Sequence, residues 1–220
     1  MNIIKTILIS LLFAPLVVVA HAQAELPKPG LTPENPFYFL DTLGESLQEF
    51  FTFNPEGKAR LHITFAAERI AEIKIMLETK GVEAKGINVA QSRLQAHLAS
   101  ATLIVKKEKQ KGKNVTALAK ELDDEFGEKK SALRQSFEEQ ENILKAKEKE
   151  LKKDLREARR LGDSARAATL TQELALLKTG KELLNAKKDS AETDIEEAEE
   201  RLEDELDVRE RAEKAIREAR

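Results

Sequence analysis

Cysteine and tryptophan are absent from this chain of 220 residues, and it holds one tyrosine, two methionines and three histidines. Without thiols there can be no disulfide frame, no thiolate metal site and no lipid attached through cysteine. Proline is confined as well. All six prolines lie at or before Pro55, and seven of the ten aromatics fall between Phe37 and Phe65, so 165 proline-free residues follow. Proline inside a helix costs about 3 kcal/mol, so that long stretch can be helical throughout. The chain therefore divides into a punctuated, aromatic first part and a helical body.

Charge is plentiful but nearly balanced: 37 Lys and Arg stand against 40 Asp and Glu, a formal net charge of −3. So small an excess selects no partner and indicates no specific nucleic acid. A 35% share of charged residues suits elongated helices that bury one stripe and expose the rest.

Residues 1–24 read as a secretory signal peptide: Lys5, an apolar run from Ile7 to Ala20 broken only by Ser10 and Pro15, then small residues at Ala22 and Ala24. Cleavage is expected before Glu25, which makes the protein extracytoplasmic, periplasmic or secreted; an uncleaved anchor is the alternative. No second apolar run of this kind follows, so no transmembrane helix is expected once the signal is cut.

Residues 25–34 contain Pro27, Pro29, Gly30 and Pro33 and are expected to be an extended lead-in. Asn35-Pro36 and Asn54-Pro55 then read as two helix openings, asparagine capping and proline in the first turn. The first helix would carry Leu40, Leu43, Leu47 and Phe50 on one face. The second would carry Ile63, Ala66, Ile70, Ile73 and Leu77, widened by Leu61 and Phe65, and end at Gly81. A third helix is expected from about Ile87 to Lys111 with Gly112 as its stop.

Leu122, Leu133, Leu144 and Leu155 recur every eleven residues, with Val115, Phe126 and Phe137 beside them. Eleven residues are close to three turns, so this stripe stays on one face of a nearly straight helix from Thr116 to Leu161. Arg159, Arg160, Gly162 and Asp163 or Ser164 predict a tight reversal. Leu170, Leu174, Leu177, Leu184, Ala191, Ile195, Ala198, Leu202, Leu206, Ala212 and Ile216 continue the helical spacing, with Gly180 a place where that last helix could kink. An antiparallel register with paired residue numbers summing to about 325 sets Leu155 against Leu170 and Leu151 against Leu174. The expected fold is all-α: a helical bundle over 35–114 with an aromatic cap, extended by a long antiparallel, coiled-coil-like hairpin over 115–220 that packs back on it.

The stretch from Asn35 to Ile73 resembles a secreted prokaryotic family known as domain of unknown function 5667. The likeness rests on Pro36-Phe37-Tyr38, the Phe53-Asn54-Pro55-Glu56 corner, Lys58 and Ala59, and the run from Ala67 to Glu72. It extends more weakly through the third helix and into the fourth, while the charged hairpin is too generic to assign. The resemblance implies an extracytoplasmic helical domain and no established activity, so no functional residue is carried over.

Chemistry is sparse. His62 and His97 fit no metal-binding spacing and read as surface or boundary histidines; no nucleophile elbow or phosphate loop exists, and no cofactor or metal is implied. Glu68, Arg69 and Glu72 read as a structural ion-pair cluster orienting packed helices. Phe37, Tyr38, Phe50, Phe53 and Phe65 are expected to pack together and close one end of the bundle, the alternative being a ligand groove formed by Phe37, Tyr38, Phe39, Phe50, Phe51 and Phe53. The charge layout points elsewhere. Lys145 to Lys181 holds eleven bases and six acids, whereas Asp189 to Glu213 holds thirteen acids and three arginines. The tip is thus basic and the base acidic. Lys152, Lys153, Arg156 and Arg160 are candidate contacts to an anionic envelope surface, the simpler reading being a solvated face. The expected role is a non-enzymatic envelope protein that binds or spaces through its hairpin, with an envelope protein as another partner. A holdase-type chaperone is the alternative, and would need an apolar concavity in the helices after Asn54.

Overall fold

Three glycines at positive φ set the corners of this molecule: Gly81, Gly112 and Gly162, at 75°, 80° and 72°. In the computed structural model, which describes residues 26–218 with side chains as far as Glu205, five helices run between them. They are α1 (Tyr38–Phe51), α2 (Pro55–Lys80), α3 (Gly86–Gln110), α4 (Thr116–Arg160) and α5 (Ser164–Glu218). Both long corners close by the same device. At the end of α4 the Asp163 N–H donates to Ala158 O and the Gly162 N–H to Arg159 O; at the end of α3, Lys113 and Gly112 donate to Glu108 and Lys109. That paired bonding satisfies carbonyls the helix leaves free, and it needs a left-handed residue between them.

The openings follow equally local rules. The Asn54 side chain accepts from the Glu56 N–H with Pro55 in the first turn, and Asp163 accepts from the Arg166 N–H. The opening of α1 differs from expectation: the Asn35 side chain accepts from the Phe37 N–H, but residues 35–37 form a tight turn and α1 begins at Tyr38. Continuity of α5 through Gly180 is also now visible. A Cβ there would stand 3.9 Å from Val82, ordinary contact distance. Gly180 therefore marks where α5 passes the α2–α3 corner rather than a break.

Packing builds one core from four helices. The α2 stripe (Ile63, Ala66, Ile70, Ile73, Leu77) meets that of α3 (Ile87, Ala90, Leu94, Leu98, Ala101, Val105), and all of these are buried. The lower half of α4 packs on α2, and α5 packs on α3, so Leu122, Phe126, Leu133 and Phe137 share this core with Leu184, Ala191, Ile195, Ala198 and Leu202. The eleven-residue stripe is thus buried, with Leu144 half-buried at its margin. Leu206, Ala212 and Ile216 lie beyond the described side chains. Residues 1–24, expected from the sequence to be a signal peptide, lie outside the described residues altogether.

A second, smaller core of Leu151, Leu155, Ala158, Leu170 and Leu177 holds the distal hairpin together. Ion pairs fix the register: Arg134–Glu192, Lys130–Glu196 and Lys188–Glu138 each join residues whose numbers sum to 326. Gly81 lies beside Gln140 as Gly180 lies beside Val82. Past that level the last twenty residues of α4 and the matching part of α5 run on together, about 30 Å at 1.5 Å per residue.

The lead-in forms no helix or strand over 26–34, turns at 33–34, and is anchored. Glu34 accepts from the Gly86 N–H at 3.1 Å and pairs with Lys80, joining both sides of the α2–α3 corner. Asp41 accepts from the Leu31 N–H at 2.8 Å.

The aromatic cap does not form. Tyr38 and Phe65 are buried, whereas Phe37, Phe50 and Phe53 stand in solvent, Phe53 at 81% exposure. The reason is the side on which α1 docks, described below. In dilute solution, with the chain unassociated, Phe65→Ala is expected to cost about 3–5 kcal/mol and Phe53→Ala no more than about 0.5 kcal/mol. Urea unfolding of the two variants checks this; equal losses would place Phe53 in a packed cap after all.

Candidate functional site

An isolated arginine inside an apolar core is prohibitively costly, so a buried one must be surrounded by acceptors. Arg69, in the middle of α2, is 0% exposed. Its guanidinium lies 2.6 Å from Glu45 of α1, 2.8 Å from Glu72 and 3.5 Å from Glu68, and it donates to the Tyr38 hydroxyl at 2.9 Å. The Tyr38 ring sits within reach of two cations, with Arg69 5.7 Å and Arg93 of α3 5.1 Å from its centroid. The cluster expected from Glu68, Arg69 and Glu72 is real, but the cross-helix partner is Glu45, which the α2 sequence cannot indicate.

Beside it, His62 and His97 are not surface residues. They face each other across the α2–α3 interface with their Nδ1 atoms 3.3 Å apart, and Phe65 packs against both rings. Their outer nitrogens lie 3.7 Å from Glu49 and Glu45 of α1. The acidic face of α1 therefore lies along a row of Arg69, His97 and His62.

Protonation in this cluster is governed by desolvation. Burial pushes the Glu72 carboxyl up to about 7 against the pull of Arg69, and pushes the Tyr38 hydroxyl up to about 12 with help from Glu72. Burial also raises Glu45 and Glu68. The same cause lowers His62, and it takes His97 down to about 3, where His62, Arg69 and Arg93 reinforce it. With both rings neutral, one Nδ1–H can donate to its neighbour's bare nitrogen. Charging both would set two donors face to face.

The arrangement ties α1 to α2 and α3 through Tyr38, Glu45 and Glu49. Among the described residues no group of three His, Cys, Asp or Glu side chains could hold a metal ion. None of the helices there is long and apolar enough to cross a membrane.

The predicted tip residues fall where the charge pattern places them. Lys152, Lys153, Arg156 and Arg160 are all exposed on the last three turns of α4. Lys152 pairs with Glu148, which also takes Lys181 and is thereby held down to about 2. Lys153, Arg156 and Arg160 make no ion pair among the described residues. Below them the acids are engaged: Glu192 with Arg134, Glu196 and Glu199 with Lys130, Glu205 with Lys106 and Lys109, Glu121 with Arg60. Asp194 accepts from Gln95. Much of the acidic base is thus used to dock α5 and α4 on their neighbours, while most of the tip cations are free.

Fold and site together define a class: an all-helical bundle held by a buried arginine and drawn out into a long two-helix arm. The family model described as Domain of unknown function (DUF5667) matches residues 30–219, and the chain belongs to that family. The match runs well past the fourth helix, so the charged hairpin, which looked too generic to assign, is part of the family's domain. No curated protein and no solved structure matches this chain.

Replacing Arg69 by methionine should cost about 3–5 kcal/mol, because Glu45 and Glu72 would stay buried without their cation. It should also free α1, seen as faster proteolysis between residues 37 and 53. Adding Glu45→Gln and Glu72→Gln should recover part of the loss. A single variant that melts like the parent would show that α1 is held by something else.

Proposed function

We propose that this protein is an extracytoplasmic, non-enzymatic envelope component that binds through the tip of its α4–α5 hairpin. The observation that carries this reading is the unequal use of charge along the hairpin. Glu192, Glu196, Glu199 and Glu205 of the base pair with α3 and α4, whereas Lys153, Arg156 and Arg160 at the far end make no ion pair among the described residues. Unpaired cations on a narrow projection are suited to an anionic sheet such as lipid headgroups or a wall polyanion, each cation near such a surface being worth about 1 kcal/mol. The sequence of residues 1–24 supports export, and N-terminal sequencing of the exported product should begin at Glu25. Recovery of Met1 on protein from the soluble cytoplasm would overturn that localisation.

A holdase remains the weaker reading. Among the described residues the helices after Asn54 expose Val89, Leu103, Ile143, Leu161, Leu176 and Leu183, spread over α3, α4, the reversal and α5. Surface binding is tested with the full chain on vesicles containing anionic lipid and, separately, on purified wall polymer. Binding should fall steeply with salt, since exposed charges are screened beyond about 8 Å at physiological ionic strength. Reversal of Lys152, Lys153, Arg156 and Arg160 to glutamate should weaken it by roughly two to three orders of magnitude with helicity unchanged. Binding that ignores salt, or none to either surface, would leave the hairpin a spacer.

A further inference from the structure

The first helix is amphipathic in the reverse of the usual sense. Tyr38, Glu45 and Glu49 look inward at Arg69, His97 and His62, so the apolar side of α1 is turned to solvent. Phe37, Phe39, Leu40, Leu43, Leu47, Phe50, Phe51 and Phe53 are each at least half exposed. At about 200 Å² per ring, the five phenylalanines alone leave roughly 650 Å² uncovered. The largest apolar patch on an ordinary monomer is about 300–600 Å², and one side of a standard protein interface is about 800 Å². With the three leucines added, the α1 face reaches interface size.

Its pattern indicates what covers it. Leu40, Leu43, Leu47 and Phe50 are spaced three, four and three, the seam of a coiled coil, and a seam of that kind is completed by another helix. Among the described residues α1 meets α2 and α3 through Tyr38, Glu45 and Glu49, on the side away from this seam. The flanks of the seam are Phe39, Gly44, Ser46 and Phe51, with no charge to select an oppositely charged partner or to repel a like one.

The exposed apolar residues are also symmetric about position 45. Phe37 and Phe53, Phe39 and Phe51, Leu40 and Phe50, and Leu43 and Leu47 are pairs whose numbers each sum to 90. In an antiparallel helix pair related by a two-fold axis through residue 45, residue i lies at the level of residue 90 − i of the other copy. Each apolar residue then meets an apolar residue at its own level. A partner of unrelated sequence has no use for that mirror symmetry; a second copy of this chain requires it.

We infer that two copies associate through α1, antiparallel about Glu45, with Leu43 of each packing on Leu47 of the other. The buried carboxylate at the dyad is already neutralised by Arg69 within its own copy, so the acidic residues of the two helices do not face each other. This contact is independent of the basic tip, and each pair of copies would carry two tips.

Light scattering and sedimentation of the full chain should give twice the chain mass, and raised salt should leave that mass unchanged. Leu43→Glu with Leu47→Glu should give a monomer of the same helicity. Because the chain has no cysteine, Ser46→Cys is a clean probe: beside the dyad, it should join to itself through a short bis-maleimide about tenfold faster than exposed Ser131→Cys on α4, reflecting effective concentration. The tip reversal variant should still dimerise, which separates failure here from failure of surface binding. A monomer at all concentrations with equal cross-linking at the two positions would overturn the inference, as would a dimer that survives Leu43→Glu and Leu47→Glu. A monomer that binds neutral lipid vesicles through α1 would overturn it too, assigning the face to lipid.

Discussion

The ion cluster around Arg69 is the constraint on which the rest of the bundle's surface depends. A guanidinium cannot shed its charge to suit a dry site, so the chain must bring carboxylates to it. Glu72 comes from the same helix, three residues on, but one buried acid and a half-buried neighbour leave a side of the cation to be satisfied from elsewhere. Glu45 supplies it. Once that carboxylate points inward, helical geometry turns residues 40, 43 and 47 outward, because they lie on the opposite side of the same cylinder. The exposed apolar face is a direct consequence of where a cation was buried.

Long helices demand different support. α4 and α5 have other neighbours beside the bundle and only each other beyond the α2–α3 corner, so the two regimes are held differently. Near the bundle, large side chains such as Phe126 and Phe137 are wholly enclosed by residues from four helices. Past Gly180, leucines and an alanine make a thin seam whose members keep up to about a tenth of their surface in water. Solvent-facing ion pairs between the helices add little energy individually, yet they meet in one register and thereby disfavour a slip. Stability is therefore graded along the arm, highest beside the bundle and lowest at the reversal.

Much of this was legible in the residues. Asn54-Pro55, Gly81, Gly112, Gly162 and Asp163 mark helix ends because each answers a local requirement of the backbone, and local requirements survive in any fold. The eleven-residue stripe of α4 and the register of the hairpin could be read for the same reason: spacing along one helix is nearly all that determines them. The orientation of α1 could not. Periodicity states which residues share a face, and Leu40, Leu43, Leu47 and Phe50 do share one, but it is silent on whether that face looks in or out. The available signal was indirect: α1 carries Asp41, Glu45 and Glu49 and no base, opposite a helix whose apolar stripe contains Arg69 and His62. His62 is buried more deeply than its spacing suggests for the same reason, since it faces His97 across the α2–α3 interface, while His97 is the boundary residue expected. The extent of the family was underestimated because charge-rich helices look alike whatever they belong to.

The hairpin also gives the molecule an electrical direction. The C-terminal end of α4 and the N-terminal end of α5 meet at Gly162, so the opposed dipoles of the two backbones largely cancel there. What survives is the side-chain distribution: a surplus of five bases between Lys145 and Lys181, on both sides of the reversal, and a deficit of ten between Asp189 and Glu213, farther along α5. A rod charged in this way experiences a torque near an anionic surface before it experiences contact. On the proposed reading its free end would turn forward and its body away, so the encounter would be oriented before the arm arrived, and the face of α1, being uncharged, would have no part in that alignment.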